Sequence, residues 1–254
     1  MLTTIILATL VVSFISLLGI FLIFKRENKD RFLKILISLA AGALLAVAFF
    51  DLLPEAIEAE SFDPHVIFAV VLGSILFFFL LEILFHWHHC RCQEHGKPCS
   101  TNKNNLIAIN LTGDAIHNFV DGVLIASAFL TDFHLGILVT LAVILHEIPQ
   151  ELSDFGVLLY AGFSKNQALL ANFLVAIVAI LGAITFYYFG QTIEGAVPLM
   201  LAFAAGNFIY LAIADLIPEL HHEKNSKRVF VHSFWLFAGV FIIYLASQIV
   251  PHGH

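Results

Sequence analysis

Eight apolar runs fill most of this chain, each at or above the ~20 residues a helix needs to cross a hydrocarbon core. They are roughly Leu2–Phe24, Phe32–Leu53, His65–Phe85, Leu106–Leu130, Phe133–Tyr160, Gln167–Gly190, Gly195–Leu220 and Phe230–Val250. Inside a bilayer the backbone meets no water, so each run must satisfy its own N–H and C=O groups, and a helix does this within one segment. The side chains leave no soluble alternative. The chain is 60% hydrophobic and 12% charged, with 26 phenylalanines, whereas a soluble domain carries about 25% charged residues. The joints are short, apart from Phe85 to Asn105. The expected fold is therefore an all-α polytopic membrane protein, a single transmembrane domain over residues 1–254 with a polar loop at about 86–104.

Leu2–Phe24 has no basic residue before it and is too long for the core of a signal peptide; the basic "KRENKDR" follows it directly. That is the pattern of a retained span. The net charge of −7 says less than where the charges lie. Lysines and arginines favour the cytoplasmic side. Lys25, Arg26, Lys29, Arg31 and Lys34 flank the first joint; Arg91, Lys97 and Lys103 lie in the third, Lys165 in the fifth, and Lys224, Lys227 and Arg228 in the seventh. These are all 12 basic residues, and all fall on odd-numbered joints. The even joints hold Glu58, Glu60 and Asp63, then Asp132, then Glu194. Both termini are therefore expected outside, at the plasma or inner cell membrane, with the long loop in the cytoplasm.

The second and seventh runs repeat each other. "AAGALLAVAFFDLLPE" (Ala40–Glu55) aligns without gaps to "AAGNFIYLAIADLIPE" (Ala204–Glu219), so Asp51, Pro54 and Glu55 match Asp215, Pro218 and Glu219. The charge map gives the two segments opposite directions. An inverted repeat relating the first three spans to the last three follows, a transporter construction with its site near the bilayer midplane.

The fourth and fifth runs carry polar groups at that depth. His117 lies about 16 Å into its span and His146 about 20 Å from the opposite face, at 1.5 Å per residue in a core about 30 Å thick. Asp114, His117, Asn118 and Asp121 share one helical face at i, i+3, i+4 and i+7. His146, Gln150 and Asp154 stack at i, i+4 and i+8, with Glu147 and Glu151 on the adjoining stripe. A charge facing lipid at the helix centre costs at least ~2.5–3.5 kcal/mol, so the two faces must meet each other or a water-filled path. Imidazole, carboxylate and amide oxygen converging there suit a divalent transition metal. A static hydrogen-bonded network or a proton relay satisfies the same spacing. Pro149 removes a backbone hydrogen bond and frees the Leu145 carbonyl toward the path.

"HNFVDG" (His117–Gly122) followed by "HEIPQE" (His146–Glu151) resembles the paired signature of the ZIP (Zrt/Irt-like) metal transporters, nearest the branch reading HNFxDG and HExPxE. The resemblance covers the whole chain. It implies import into the cytoplasm of Zn²⁺, or related Fe²⁺, Mn²⁺ or Cd²⁺, as transported substrate. It also implies one metal subsite of His117, Asp121, His146 and Gln150, and a neighbouring one of Asn118, Asp121 and Glu147. The chain departs from the family at Gln150, where members carry Glu or His, and in the sixth span, where only Asn172 replaces a Glu found in some members. Glu151, turned by the kink at Pro149, is a secondary candidate. A homodimer is a further implication of the resemblance.

"HWHHCRCQEHGKPC" brings His86, His88, His89, Cys90, Cys92, His95 and Cys99 into one segment. An odd number of clustered cysteines fits a thiol or metal loop better than a disulfide framework, and thiols stay reduced in the cytoplasm. It is a secondary metal candidate, a transient acceptor or sensor; a solvated loop reads equally well. His221 and His222 join it more weakly, and His252 and His254 are incidental. Glu55, Glu58, Glu60 and Asp63 form an outer acidic rim able to concentrate cations, although exposed acidic loops are also ordinary. Phe77–Phe79 reads as lipid-facing surface. No nucleotide-binding loop, organic cofactor or nucleic-acid partner is indicated. "HEIPQ" is similar to the zincin HExxH, but Gln150 stands where the second histidine must be. An enzyme is therefore not expected. An intramembrane hydrolase and a metal sensor or chaperone without transport are the alternatives to a transporter.

Overall fold

The computed structural model describes residues 1–24, 29–90, 103–221 and 226–249. Every regular element among them is helical. α1 is Leu2–Phe24, and α2 runs from Lys29–Val47 through a π-helical turn, Ala48–Leu52, into Leu53–Glu58. α3 is Pro64–Cys90, α4 Lys103–Thr131 and α5 Phe133–Ala161. α6 comprises Lys165–Ala176 and Val178–Phe189, interrupted at Ile177. α7 runs from Ala196–Tyr210 through a π-helical turn, Leu211–Leu216, into Ile217–His221, and α8 is Ser226–Ile249. Among the described residues, seven helices are long and apolar enough to cross a membrane. α4 is the remaining one. Its 29 residues reach about 44 Å at 1.5 Å each, and its polar face dilutes its apolar character.

Local chemistry sets the ends. Asp132 is the whole joint between α4 and α5, and its carboxylate caps α5 by accepting from the His134 and Leu135 N–H groups at 2.8 and 3.1 Å. Gly162 ends α5 at φ 110°, a left-handed conformation that favours glycine. Ser164 and Gln167 then form a reciprocal capping box that starts α6.

Packing follows the repeat. α2 lies against α8 as α7 lies against α3, α1 against α5 as α6 against α4, and α2 against α5 as α7 against α4. Exchanging 1 with 6, 2 with 7, 3 with 8 and 4 with 5 maps each pair onto its counterpart. The matched glycines Gly42 and Gly206 make the close crossings. A Cβ on Gly42 would collide with the Leu236 carbonyl of α8, and one on Gly206 would come 2.6 Å from the Val71 carbonyl of α3. Small residues at helix crossings are what membrane packing favours.

The π-helical turns are matched as well. Leu53 N–H bonds back to Ala48 and Ile217 N–H to Ala212, five residues in each case. Pro54 and Pro218 follow immediately. Proline lacks the N–H and crowds the carbonyl four residues earlier, so the turn before it widens. Each widened turn carries one aspartate. Asp51 is buried, whereas Asp215 is exposed.

Candidate metal centre

α4 and α5 pack side by side with their polar faces together. His117, Asp121, His146 and Glu147 each offer one ligand atom, and these four atoms lie within 4.8 Å of one another. His146 Nε2 is 3.1 Å from Asp121 Oδ2, 3.2 Å from His117 Nε2 and 3.8 Å from Glu147 Oε1. His117 Nε2 is 3.6 Å from Asp121 Oδ2 and 3.5 Å from Glu147 Oε1. Ligands held ~2.0–2.1 Å from Zn²⁺ in a tetrahedron stand about 3.3 Å apart. Five of the six separations, 3.1–3.8 Å, lie around that value.

The surroundings fix the ring of His146. Its Nδ1 stands 3.1 Å from the Ala142 carbonyl oxygen, which can only accept, so Nδ1 is the donor there and Nε2 is the nitrogen left to serve as a metal ligand. The Phe208 ring of α7 packs at 6.1 Å from the imidazole. Three of the four residues are at most 1% exposed, and His117 keeps 13% of its side chain open. Asp121 Oδ1 and both Glu147 oxygens are buried with no hydrogen-bond partner. Leaving such groups unpaired costs free energy, and a cation at the centre would satisfy them.

The other residues read from the sequence fall around this quartet. Asn118 is turned toward Asp114, donating from Nδ2 to its Oδ1 at 2.8 Å and its main-chain oxygen at 3.1 Å. Gln150 and His117 both line a cavity of about 340 Å³. Glu151 is fully buried, with neither carboxylate oxygen hydrogen-bonded. Asn172 donates to the Glu151 main-chain oxygen at 3.0 Å. Of His86, His88, His89 and Cys90 only the helical backbone is described, and Cys92, His95 and Cys99 lie outside the described residues, as do His222, His252 and His254.

The cavity also contains groups the sequence pattern did not single out. Glu82 of α3, Asn110 of α4 and Asn207 and Tyr210 of α7 line it, together with Asp215, which the repeat had marked. Tyr210 donates its hydroxyl to Glu82, tying α7 to α3. Asn110 could have been found, because it lies four residues before Asp114 on the same face; isolated polar residues on α3 and α7 gave no periodic signal. All these groups lie on one side of the quartet, toward the start of α4 and the end of α5. On the other side, Leu124, Ile125, Phe129, Val139 and Val143 are essentially fully buried. The quartet is therefore open toward one end of the bundle and sealed by apolar packing toward the other. A smaller cavity of about 130 Å³ at the sealed end is lined by Asp51, Glu55, Asp132 and His134.

The family model described as ZIP Zinc transporter matches residues 1–106 and 88–247. The zinc transporter ZIP13 of Pongo abelii is 33% identical over 232 residues, covering 86% of this chain and 68% of the relative. The zinc transporter ZIP13 homolog of Drosophila melanogaster is 27% identical over 288 residues, covering 90% and 81%. Homo sapiens zinc transporter ZIP10 is 36% identical over 149 residues, covering 56% of this chain and 18% of that protein.

Proposed function

This chain belongs to the ZIP zinc transporter family, an integral membrane family, and from that premise we propose that it carries Zn²⁺ into the cytoplasm through the seam between α4 and α5. The observation that carries the reading is the quartet itself: two imidazoles and two carboxylates inside the bundle, each with a ligand atom within 4.8 Å of the others. His117, Asp121, His146 and Glu147 hold the ion in this reading. In the same reading Gln150, which lines a cavity with His117, and Asn118, next to His117 in the chain, take part as the ion arrives or leaves. Fe²⁺, Mn²⁺ and Cd²⁺ suit similar ligand sets and are the competing substrates.

Direction rests on charge. The basic residues crowd the joints at the end toward which the large cavity opens, and that end faces the cytoplasm. Eight spans with both termini outside follow when α4 is counted as the polar fourth span. The packed apolar side then faces outward, and the described conformation is the inward-open one. An inverted repeat moves between this state and its mirror by exchanging the packing of its two halves.

The test is ⁶⁵Zn²⁺ uptake into vesicles holding the purified chain in known orientation. Zn²⁺ accumulating on the side of the His/Cys loop supports the proposal. Saturable Zn²⁺ binding with no accumulation would make the protein a membrane metal sensor, and movement only in the opposite direction would reverse the orientation.

A further inference from the structure

α6 breaks at Ile177 with no cause in its own sequence. No glycine or proline stands between Gly162 and Gly182, yet Lys165–Ala176 ends there and Val178–Phe189 begins afresh. At the break the Ile180 N–H bonds three residues back, to the Ile177 carbonyl at 3.0 Å, which is a 3₁₀-type turn. In a regular helix that N–H would serve Ala176, four residues back. The Ala176 carbonyl accepts instead from the buried Ser13 hydroxyl of α1, at 3.0 Å. Helices without proline or glycine are interrupted where a side chain enters the backbone ladder, and Ser13 is that side chain. Its hydroxyl also stands 3.1 Å from the Thr9 carbonyl. Thr9, however, lies inside α1, where a regular turn gives it the Ser13 N–H, whereas the N–H due to Ala176 has gone to Ile177.

The break lies between two anchors of α6, one on each helix that supplies the quartet. Before it, the buried Asn172 donates from Nδ2 to the Glu151 main-chain oxygen of α5 at 3.0 Å, one turn past Glu147. After it, α6 crosses α4 backbone to backbone. A Cβ on Gly182 would meet the Phe119 carbonyl, and one on Gly122, next to Asp121, would meet the Ala179 carbonyl. α6 is thus a strut from α5 to α4, and the tight turn sets its length. A 3₁₀ residue rises about 2.0 Å and an α residue about 1.5 Å, so a regular helix here would shift one anchor against the other by ~0.5 Å for each residue converted. The ligand separations across the same seam are 3.1 Å from His146 to Asp121, 3.2 Å from His117 to His146 and 3.5 Å from His117 to Glu147. They leave little room for such a shift.

We infer that Ser13 is a positioning residue for the transported ion: its hydroxyl holds the tight turn of α6 and so fixes how the α4 ligands stand against the α5 ligands. The inference rests on the transport reading above. Ser16 provides the contrast. It is as fully buried on the same helix, but its hydroxyl donates to Val12 of α1 at 2.7 Å and braces no neighbour.

Co²⁺ binding to the full chain in detergent, read from the visible ligand-field bands, tests this beside initial rates of Zn²⁺ uptake. Those bands follow the geometry of a nitrogen–oxygen shell and stand apart from the near-ultraviolet bands of any thiolate site in the loop. Ser13→Ala should change the bands and weaken Co²⁺ binding about tenfold, the low end of what support behind a metal ligand is worth. It should raise the KM for Zn²⁺ uptake by a like factor. Ser13→Thr, which keeps the hydroxyl, should retain the wild-type bands, and Ser16→Ala should match wild type in both assays. Ser13→Ala and Asn172→Ala disturb one strut, so their combined loss should fall short of the sum. Wild-type bands and affinity in Ser13→Ala overturn the assignment, as do an equal loss in Ser16→Ala or strictly additive losses in the double variant. Melting temperature and monodisperse elution check folding. If Ser13→Ala does not fold, Asn172→Ala takes its place, and unchanged bands there overturn the strut. Failure of the transport reading is seen separately, as a wild-type chain that binds Co²⁺ and accumulates no Zn²⁺.

Discussion

His146 Nε2 and Asp121 Oδ2 face each other across the seam between α5 and α4 at 3.1 Å. The Ala142 carbonyl accepts the hydrogen bond from His146 Nδ1, so when His146 is neutral, as a metal ligand must be, its Nε2 meets the carboxylate with a lone pair. Two acceptors at that distance repel each other unless positive charge lies between them. His117 Nε2, 3.2 Å from His146 Nε2, can supply one proton, but it cannot serve Asp121 and Glu147 together. A dication at the centre answers all four groups at once.

Removing either imidazole should therefore abolish most transport. His146→Ala and His117→Ala should each lower Zn²⁺ uptake by at least about tenfold, because even an outer-shell partner of a metal ligand is worth 10–100-fold. Both variants should still insert and elute as folded protein. Wild-type uptake by a correctly inserted variant would remove that histidine from the site.

The support behind His146 makes a subtler effect testable. Thr140→Val, on the same helix but bonded only to the Gly136 carbonyl at 2.6 Å, should leave uptake within about twofold. It serves as a control for nonspecific damage to α5. A loss comparable to that of His146→Ala would mean that uptake reports the integrity of α5 and not the ligands.

Protons should compete with the ion. Only the neutral form of an imidazole ligates a metal, so Zn²⁺ affinity should fall as the pH is lowered and recover as it is raised. A pH dependence unchanged in the His117→Ala and His146→Ala variants would show that it does not arise from these ligands.

The crossing of α4 and α6 should tolerate no bulk. A Cβ on Gly122 would collide with the Ala179 carbonyl, and one on Gly182 with the Phe119 carbonyl. Backbone cannot give way as a flexible side chain can. Gly182→Leu should destabilise by more than the ~1–3 kcal/mol usual for overpacking and push α6 from α4, losing folded yield. A normal melting temperature for Gly182→Leu would show that the two helices do not cross here.

The seam was legible from spacing because a period of 3.6 residues gathers Asp114, His117, Asn118 and Asp121 on one face. Spacing gives stripes, however, and not the rotation of one helix against its neighbour. That rotation brings Glu147, from the adjoining stripe, to within 3.5 Å of His117, while Gln150 lines the cavity beside it. The repeat was readable from the shared Asp-Leu-x-Pro-Glu ending. The widened turns before Pro54 and Pro218 were not, because proline permits either a kink or a π-helical turn and packing selects between them. Tyr210 and Glu82 gave no signal at all, since their pairing depends on how α7 meets α3.

The rotation of α5 makes the last prediction the sharpest. If Glu147 completes the shell, Glu147→Gln should weaken Zn²⁺ binding more than Gln150→Ala, because a carboxylate attracts a dication by full charge and an amide only by its dipole. Gln150→Glu should then tighten binding and slow turnover, since a new carboxylate on the cavity wall beside His117 holds the departing ion. Glu151→Ala should slow release while the quartet still binds, because Glu151 lies a turn beyond Glu147 on α5. Equilibrium binding and initial uptake rates, measured on all four variants, separate these effects. Should Gln150→Ala abolish binding while Glu147→Gln leaves it intact, the ion is held by His117, Asp121, His146 and Gln150, and α5 must rotate when metal binds.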